Sequence, residues 1–207
     1  MSKVQVTAFF IVLALFTLIF FKTTTVDVKA EKLSPNATIL AFGDSLTYGY
    51  GAVDAAYPLA LERLTNRRVI NAGISGEVSA VGLQRFSKLL DKHHPSLVIL
   101  CHGGNDILRR KSHDALKENL RKMIRLSKER GAQVLLVGVP GFGIFGAKTL
   151  PLYEELSIEE SVMYEGTVLE IIENDAGLKS DQIHPNAQGY KMMAVYFNAV
   201  LKEQGVI

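Results

Sequence analysis

Short apolar runs alternate with segments of helical periodicity from residue 37 onward. The apolar runs cover 38–42, 68–72, 96–101 and 133–139. They are continuous rather than alternating, a pattern typical of strands buried on both faces of a parallel sheet. Apolar positions three and four apart predict helices over 57–64, 81–90, 115–126, 151–156, 168–173 and 187–202. A short strand is expected near 161–164, and Gly131 is expected to end the third helix. The alternation predicts an α/β fold, a three-layer α/β/α sandwich with a central, mostly parallel sheet.

The first thirty residues differ in composition from the rest. Residues 4–21 are eighteen uncharged, mainly apolar residues between Lys3 and Lys22, and a polar linker follows. This length is close to the minimum for spanning a bilayer and slightly long for the apolar part of a signal peptide. Ala30 ends a small-residue pattern typical of cleavage sites. We therefore expect residues 1–30 to be a signal peptide or a membrane anchor, and either would export the domain at 31–207. A buried core helix is the remaining alternative.

Charge and cysteine content exclude several classes of function. The chain has 23 basic and 21 acidic side chains, and the first thirty residues hold three lysines and one aspartate. The remainder is therefore balanced, which argues against nucleic acid as a partner. The single cysteine, Cys101, cannot form an intramolecular disulfide, and no Cys/His cluster has metal-ligand spacing. No metal or organic cofactor is expected.

Four polar segments follow predicted strands or precede the last helix. They are Gly43-Asp44-Ser45, the 71–76 segment NAGISG, the 102–106 segment HGGND and the 180–186 segment SDQIHPN. In parallel α/β sheets, the carboxyl ends of the strands share one edge, where ligands bind. We expect these segments to bring together a hydroxyl, flexible glycine backbone, a side-chain amide and an Asp three residues before a His.

These residue types are the ones that acyl transfer needs. A serine becomes a good nucleophile when a neighbouring base, here His184, removes its proton. Asp181 is near enough in sequence to hydrogen-bond the other ring nitrogen of His184. The backbone N–H groups of Ser45 and Gly76 and the amide of Asn105 could stabilise an oxyanion.

The same segments resemble the blocks of the GDSL, or SGNH, hydrolase family. The tetrapeptide GDSL is present at 43–46, and the similarity covers roughly residues 38–202. The chain is most similar to small bacterial members described as arylesterase, thioesterase I and lysophospholipase. The resemblance implies the flavodoxin-like SGNH-hydrolase fold. It also implies Ser45 as nucleophile, His184 as general base, Asp181 as its orienting acid, and an oxyanion hole of Ser45, Gly76 and Asn105.

Each motif also has a plain structural interpretation. Ser45 could cap a short helix, and His184 could stand before a helix whose first turn holds Pro185. Asp44 is expected to shape the turn. His102 has no partner evident in the sequence and is expected to be structural or positioning. The basic run 109–111 is interpreted as a solvated loop. Four complementary segments at four expected sheet ends favour the catalytic interpretation.

The segment 141–150 contains glycines, two phenylalanines and an isoleucine. Its glycines predict a loop rather than a regular element, and exposed apolar loops often mark binding surfaces. We expect Phe142 and Phe145 to line an acyl-chain groove or a mobile flap, with Ile107, Leu108 and Leu150 in the same wall. The alternative is that they cover the edge of the core.

The leading functional hypothesis is a serine esterase. Its substrates would be small-molecule or lipid acyl esters, including lysophospholipids, short to medium acyl esters and thioesters. A carbohydrate O-deacetylase is a second hypothesis, disfavoured by the apolar loop and the absence of tryptophan. A non-catalytic envelope binding protein of the same fold is a third. Membrane association would run through residues 4–21, and the sequence leaves the oligomeric state open.

Overall fold

The computed structural model describes residues 30–144 and 146–207. In that part of the chain, the strands are β1 (Ile39–Gly43), β2 (Val69–Gly73), β3 (Leu97–Cys101), β4 (Gln133–Val137), β5 (Pro140–Gly143), β6 (Gly146–Thr149) and β7 (Met163–Glu165). The central sheet has the order β2-β1-β3-β4-β7, and all its pairs are parallel. The strand order reverses between β1 and β3, and such a switch point is where open α/β sheets bind ligands.

Helices cover both faces of this sheet. They are α1 (Ser45–Tyr48), α2 (Tyr57–Thr65), α3 (Ser79–His93), α4 (Gly104–Leu108), α5 (His113–Glu129), α6 (Pro151–Glu159), α7 (Val168–Asn174) and α8 (Ala187–Glu203). The connection after β1 runs to β2 on one side of it, and the connection after β2 runs back past β1 to β3 on the other side. Right-handed crossovers in these two opposite directions place α2 and α3 on opposite faces of the sheet. α2 packs against α8, and α3 packs against α5. The predicted three-layer α/β/α sandwich is confirmed.

The apolar runs explain which strands lie at the centre. Every residue of β1 and of β3 is buried, as their continuous apolar sequences predict. The same expectation is wrong for β2, whose residues are all at least partly exposed. β2 is an edge strand with a neighbour on one side only, so its side chains lie at the margin of the helical layers.

The ends of α5 show how local sequence sets the helix limits. The Ser112 side chain accepts a hydrogen bond from the N–H of Ala115, which satisfies a free donor of the first turn. At the other end, Gly131 has φ +75°, a conformation that glycine adopts without strain. The prediction that Gly131 ends this helix is confirmed.

The 141–150 segment is not the irregular loop that its glycines predict. β5 and β6 pair as an antiparallel hairpin, with Pro140 opposite Thr149 and Gly143 opposite Gly146. Gly143 and Gly146 lie at the paired positions nearest the turn, where Gly146 has φ +102°. The tip carries Ile144, which is 96% exposed. Phe145 lies outside the described residues.

The predicted N-terminal signal peptide or anchor also lies outside the described residues. Within residues 30–144 and 146–207, no helix has both the length and the apolar character required to cross a bilayer.

Candidate active site

Ser45 begins α1, with only Asp44 between it and the end of the buried strand β1. Asp44 caps α1, since its side chain accepts a hydrogen bond from the N–H of Leu46 at 3.1 Å. The capping role that the sequence allowed for Ser45 therefore belongs to Asp44, which also shapes the turn as expected. The Ser45 hydroxyl is left to face the pocket at the carboxyl edge of the sheet.

Asp181, His184 and Ser45 form a connected chain of side chains. The Nδ1 atom of His184 lies 2.8 Å from Oδ2 of Asp181. The Nε2 atom of His184 lies 3.1 Å from Oγ of Ser45. Both distances are within hydrogen-bond range, so Nδ1 can donate to the carboxylate while Nε2 accepts from the hydroxyl.

The loop before α8 holds His184 in place through its backbone. The N–H groups of Ile183 and His184 both donate to Oδ1 of Asp181. The N–H of Ser180 donates to the carbonyl of His184 at 2.8 Å. Burial works against ionisation of Asp181, but these N–H donors and the His184 ring lower its pKa overall. The carboxylate is thus fixed in its charged form beside the imidazole.

Two further residues define the surroundings of the imidazole. Asn186 caps α8 by accepting from the N–H groups of Gln188 and Gly189, so the helix begins just beyond His184. The Tyr50 ring lies against the His184 ring with centroids 4.4 Å apart. Sequence inspection missed Tyr50, whose only signal is its place in the loop that follows the GDSL segment.

Asn105 and Gly76 come from two different strand ends. Asn105 lies in α4 and lines the same pocket as Ser45. Gly76 lies in the loop after β2 with φ +78°, where a side chain would be strained. The Gly76 carbonyl accepts a hydrogen bond from Nη2 of Arg109 at 2.9 Å. Arg109 directly follows α4, so it links the Gly76 loop to the helix that carries Asn105.

A second connection joins the same two elements. Oδ2 of Asp106 accepts from the N–H of Ser79, and Oδ1 accepts from the Ser79 hydroxyl, both at 2.8 Å. Asp106 is 3% exposed, so these bonds are shielded from water. Asp106 and Arg109 together fix the Gly76 loop relative to α4, and sequence inspection assigned neither residue this contact.

Behind the Gly76 loop lies a group of three ionisable side chains, Arg85, Glu77 and His102. Nη2 of Arg85 lies 2.6 Å from Oε2 of Glu77, and that oxygen lies 3.3 Å from Nε2 of His102. His102 is fully buried, and it has the structural place expected for it. The partner that the sequence did not reveal is Glu77. Hydrogen bonds from His102 and Arg85 lower the pKa of Glu77 despite its burial.

Burial also changes the pKa values of two further residues near the site, Asp44 and Cys101. Burial raises the pKa of the Asp44 carboxyl, against the opposing effects of His102 and the Leu46 N–H. Burial also raises the pKa of the Cys101 thiol well above its usual value. Cys101 is therefore a small apolar residue of the core, as its sequence position indicates, and not a reactive thiol.

A small pocket opens beside Ser45 and His184. Besides the polar residues described above, its wall is mainly apolar. These lining residues are Leu46, Ile107, Leu108, Val139, Pro140, Phe142, Leu169 and Ile183. Ile107, Leu108 and Phe142 line this pocket, and their predicted contact with an acyl chain stays a prediction. Leu150 is partly buried against the core and is not among the residues that line the pocket.

Glu173 is the pocket residue that the sequence analysis missed. It lies in α7, one turn beyond Leu169, and both side chains line the pocket. Burial raises the pKa of Glu173 to about 7 although Lys179 opposes this. The sequence signal available for Glu173 was an acidic residue one turn from an apolar one on a short helix. The same pattern is equally typical of a helix face that is exposed to solvent. Among residues 30–144 and 146–207, no three or more His, Cys, Asp and Glu side chains are grouped as a metal site.

Comparison with known proteins independently supports the resemblance to the GDSL hydrolase family. The model of the GDSL-like Lipase/Acylhydrolase family matches residues 41–192. An arylesterase of Vibrio mimicus is 31% identical over 86% of this chain and 92% of its own length. The esterase TesA of Pseudomonas aeruginosa is 34% identical over 72% of this chain and 79% of its own. Thioesterase 1/protease 1/lysophospholipase L1 of Escherichia coli K12 is 30% identical over 76% and 79%.

Solved structures agree in fold. A crystal structure of TesA superposes with a TM-score of 0.73 at 30% identity, covering 81% of this chain and 99% of that one. The SGNH-hydrolase family esterase AlinE4 superposes with a TM-score of 0.65 at 34% identity, covering 83% and 98%. With the family match over most of the described domain, these relatives show that the chain belongs to the GDSL-like lipase/acylhydrolase family and is a carboxylic ester hydrolase.

Proposed function

We propose that this esterase works through a Ser45–His184–Asp181 triad and a covalent acyl-enzyme. The single observation that carries the proposal is the 3.1 Å approach of His184 Nε2 to Ser45 Oγ, with Asp181 on the opposite ring nitrogen. This is the arrangement in which a base can take the serine proton while its own tautomer is held fixed.

In the first half-reaction, Ser45 Oγ attacks the ester carbonyl and its proton passes to His184 Nε2. The carbonyl oxygen becomes an oxyanion, which the N–H groups of Ser45 and Gly76 and the amide of Asn105 stabilise. The tetrahedral intermediate collapses as the C–O or C–S bond breaks. The leaving alcohol or thiol takes the proton from His184, and the acyl group remains on Ser45.

In the second half-reaction, His184 removes a proton from water as the water attacks the acyl-enzyme. A second oxyanion forms in the same place. When it collapses, Ser45 Oγ leaves and takes back the proton, and the carboxylic acid departs. Asp181 accepts from Nδ1 throughout and stabilises the imidazolium without taking its proton.

The apolar pocket wall supports an aliphatic acyl group as the part of the substrate that is recognised. Leu108 and Phe142 are both about half exposed at the mouth of the pocket, so an acyl chain can cover them and bury their surface. The names of the relatives extend the substrates to aryl esters, thioesters and lysophospholipids. A sugar O-deacetylase is less compatible with this wall.

The location that fits such substrates is outside the cytoplasm. Residues 4–21 are an uncharged apolar stretch between two lysines, which is consistent with export of the 31–207 domain as a cleaved or membrane-anchored protein. Mass spectrometry of the mature N-terminus in fractionated cells distinguishes a cleaved product beginning near residue 31 from an intact chain, and an intact chain in the cytosol contradicts export.

The decisive experiment compares the chain with its Ser45→Ala variant and with Ser87→Ala as a matched control. Ser87 lies on α3, and its hydroxyl accepts from Arg130. With p-nitrophenyl esters from acetyl to palmitoyl, we expect kcat/KM of Ser45→Ala to fall by about 10⁴–10⁶, while Ser87→Ala stays near wild type. Equal activity of wild type and Ser45→Ala would remove the triad from consideration.

A further inference from the structure

One carboxyl group interrupts the apolar wall of the pocket. Glu173 lies in α7, beside Leu169 of the same helix and Ile183 of the loop that carries His184, and all three line the pocket. Its side chain is only 6% exposed. An acyl chain in this pocket would therefore pass close to a carboxyl that has little water of its own.

The surroundings of Glu173 only partly compensate a negative charge. Lys179 Nζ lies 3.5 Å from Oε2 of Glu173, and it donates shorter hydrogen bonds to the carbonyls of Glu173 and Gln182, at 2.7 and 3.2 Å. The ammonium is therefore shared among three oxygens. Burial, with a smaller contribution from the negative charge of Asp181 on the same loop, raises the pKa of Glu173 to about 7 although Lys179 opposes this.

We propose that Glu173 is a specificity-determining residue of this esterase, whose carboxyl admits long apolar acyl chains when protonated and disfavours them when ionised. The inference rests on the proposed function, because it takes the pocket beside Ser45 to be the acyl pocket. It assigns the preference for acyl length to a single ionisable side chain rather than to pocket dimensions alone.

The physical reason is desolvation. A long acyl chain displaces the remaining water from the Glu173 carboxyl, which costs free energy only while the carboxyl is charged. By linkage, a chain that binds the protonated form better also raises the pKa of that carboxyl. An acetyl group is too short to cover the apolar wall of the pocket, so it does not change the solvation of Glu173. Discrimination between long and short chains should therefore change near neutral pH.

Other ionisable groups face the same space. Lys179 and Asp181 act on Glu173 directly, and Asp44 and His184 line the pocket with it. The two groups of the catalytic end, Asp44 and His184, meet every substrate in the same way. Dividing kcat/KM for a long ester by that for a short ester with the same leaving group therefore cancels any effect of these two groups that both substrates share, and isolates effects on the acyl chain.

The experiment measures kcat/KM of the full chain for p-nitrophenyl octanoate and acetate from pH 5.5 to 8.5. The variants are Glu173→Gln, which keeps the shape but cannot ionise, and the control Glu203→Gln, an exposed carboxyl at the end of α8. We expect the octanoate-to-acetate ratio of wild type and of Glu203→Gln to fall about tenfold with rising pH, equivalent to one pKa unit of coupling. The ratio of Glu173→Gln should stay constant at the low-pH value.

A constant ratio in wild type, or an unchanged fall in Glu173→Gln, would overturn the role of Glu173. Neither result affects the triad, because Ser45→Ala tests that separately on both esters. If Ser45→Ala were as active as wild type while the ratio still fell, the proposed mechanism would fail and the assignment of the acyl pocket would fail with it.

Discussion

His184 Nε2 and Ser45 Oγ lie 3.1 Å apart although 139 positions separate them in the sequence. The contact depends on β1, which delivers Ser45 to the carboxyl edge of the sheet, and on the loop before α8, which returns His184 to the same edge. A third residue, Asp181, holds the loop through three hydrogen bonds to its carboxylate. The geometry therefore depends on Asp181 in two ways, through the ring and through the backbone.

The first prediction concerns Asp181→Asn. The pKa of Asp181 lies below its ordinary value of 3.8, so the carboxylate is lost only as pH falls through that lowered pKa. At pH 7 the variant removes a charge that is fully present, and it leaves an amide that can present NH₂ to Nδ1. We expect kcat to fall by about 10²–10⁴, with KM much less affected.

Asp54→Asn is the control for this measurement, because Asp54 is exposed in a 3₁₀ turn before α2. Thermal unfolding of both variants shows whether the fold is retained. A folded Asp181→Asn enzyme with kcat within threefold of wild type would contradict an orienting role for Asp181.

The second prediction concerns the link between the proposed oxyanion donors. Arg109 holds the carbonyl of Gly76 from the end of α4, so Arg109→Gln should let the Gly76 loop move relative to Asn105. We expect kcat to fall about tenfold, which is less than the loss of a whole donor, while KM changes little. Arg109→Lys should recover part of the rate.

Arg110→Gln provides a matched control one position away on the exposed surface. It should retain wild-type kcat. Equal effects of the two substitutions would point to general surface charge and away from the Gly76 contact. The rate of inactivation by an alkyl phosphonate, which needs the same oxyanion donors, should follow kcat across the series.

The sequence predicted the sheet and its helices well, because continuous apolar runs and helical periodicity directly reflect burial. β1 and β3 lie within or close to their expected bounds, and α8 extends over Ala187–Glu203 against an expectation of 187–202. The 133–139 run shows the limit of this approach, since β4 ends at Val137. Val139 lies beyond the end of the strand and lines the pocket.

The β5–β6 hairpin was predicted as a loop for a specific reason. Gly143 pairs with Gly146, and glycine in a strand pattern normally signals weak strand propensity. At the end of a hairpin, however, the same residues provide the backbone freedom that the turn needs. Hydrophobic periodicity does not predict such a hairpin, because its strands are four residues long and Phe142 lines a pocket instead of a core.

Contacts between polar side chains that are far apart in the sequence could not be predicted from the sequence. Glu77 and His102 are 25 positions apart, and their contact depends on how the loop before α3 packs against the end of β3. Glu173 likewise gains its significance from the loop that lies over it. The motif residues could be proposed from the sequence because their residue types are restrictive, whereas a single Glu or Arg is compatible with many surroundings.

The third prediction concerns stability against pH. The pKa of Glu173 in the folded chain, about 7, lies above its ordinary value of 4.5. The folded state therefore binds the proton more tightly than the unfolded state, and the free energy of unfolding decreases as pH rises from about 4.5 to 7. Glu173→Gln removes this loss, so its Tm should exceed that of wild type at pH 8 and equal it at pH 5.

Differential scanning calorimetry at both pH values checks this prediction, with about 2–4 °C expected for each kcal/mol in a chain of this size. Glu203→Gln should follow wild type. A Glu173→Gln variant that is less stable than wild type at pH 8 would mean that the ion pair with Lys179 outweighs the cost of burying the charge.

The last prediction concerns the hairpin as part of the acyl pocket. Phe142 lines the pocket and is 54% exposed, whereas Ile144, two residues on, is 96% exposed at the hairpin tip. An octanoyl chain that covers the Phe142 ring would bury apolar surface on both partners, and about 1.4 kcal/mol of such burial corresponds to a tenfold change in kcat/KM. Phe142→Ser should therefore reduce kcat/KM for the octanoyl ester about tenfold and leave the acetyl ester nearly unchanged. Ile144→Ser, with equal loss of hydrophobicity outside the pocket wall, should change neither. If Phe142→Ser left the preference among acyl lengths as in wild type, the hairpin would only cover the edge of the core, and the acyl chain would have to be bound by the other apolar residues of the pocket wall.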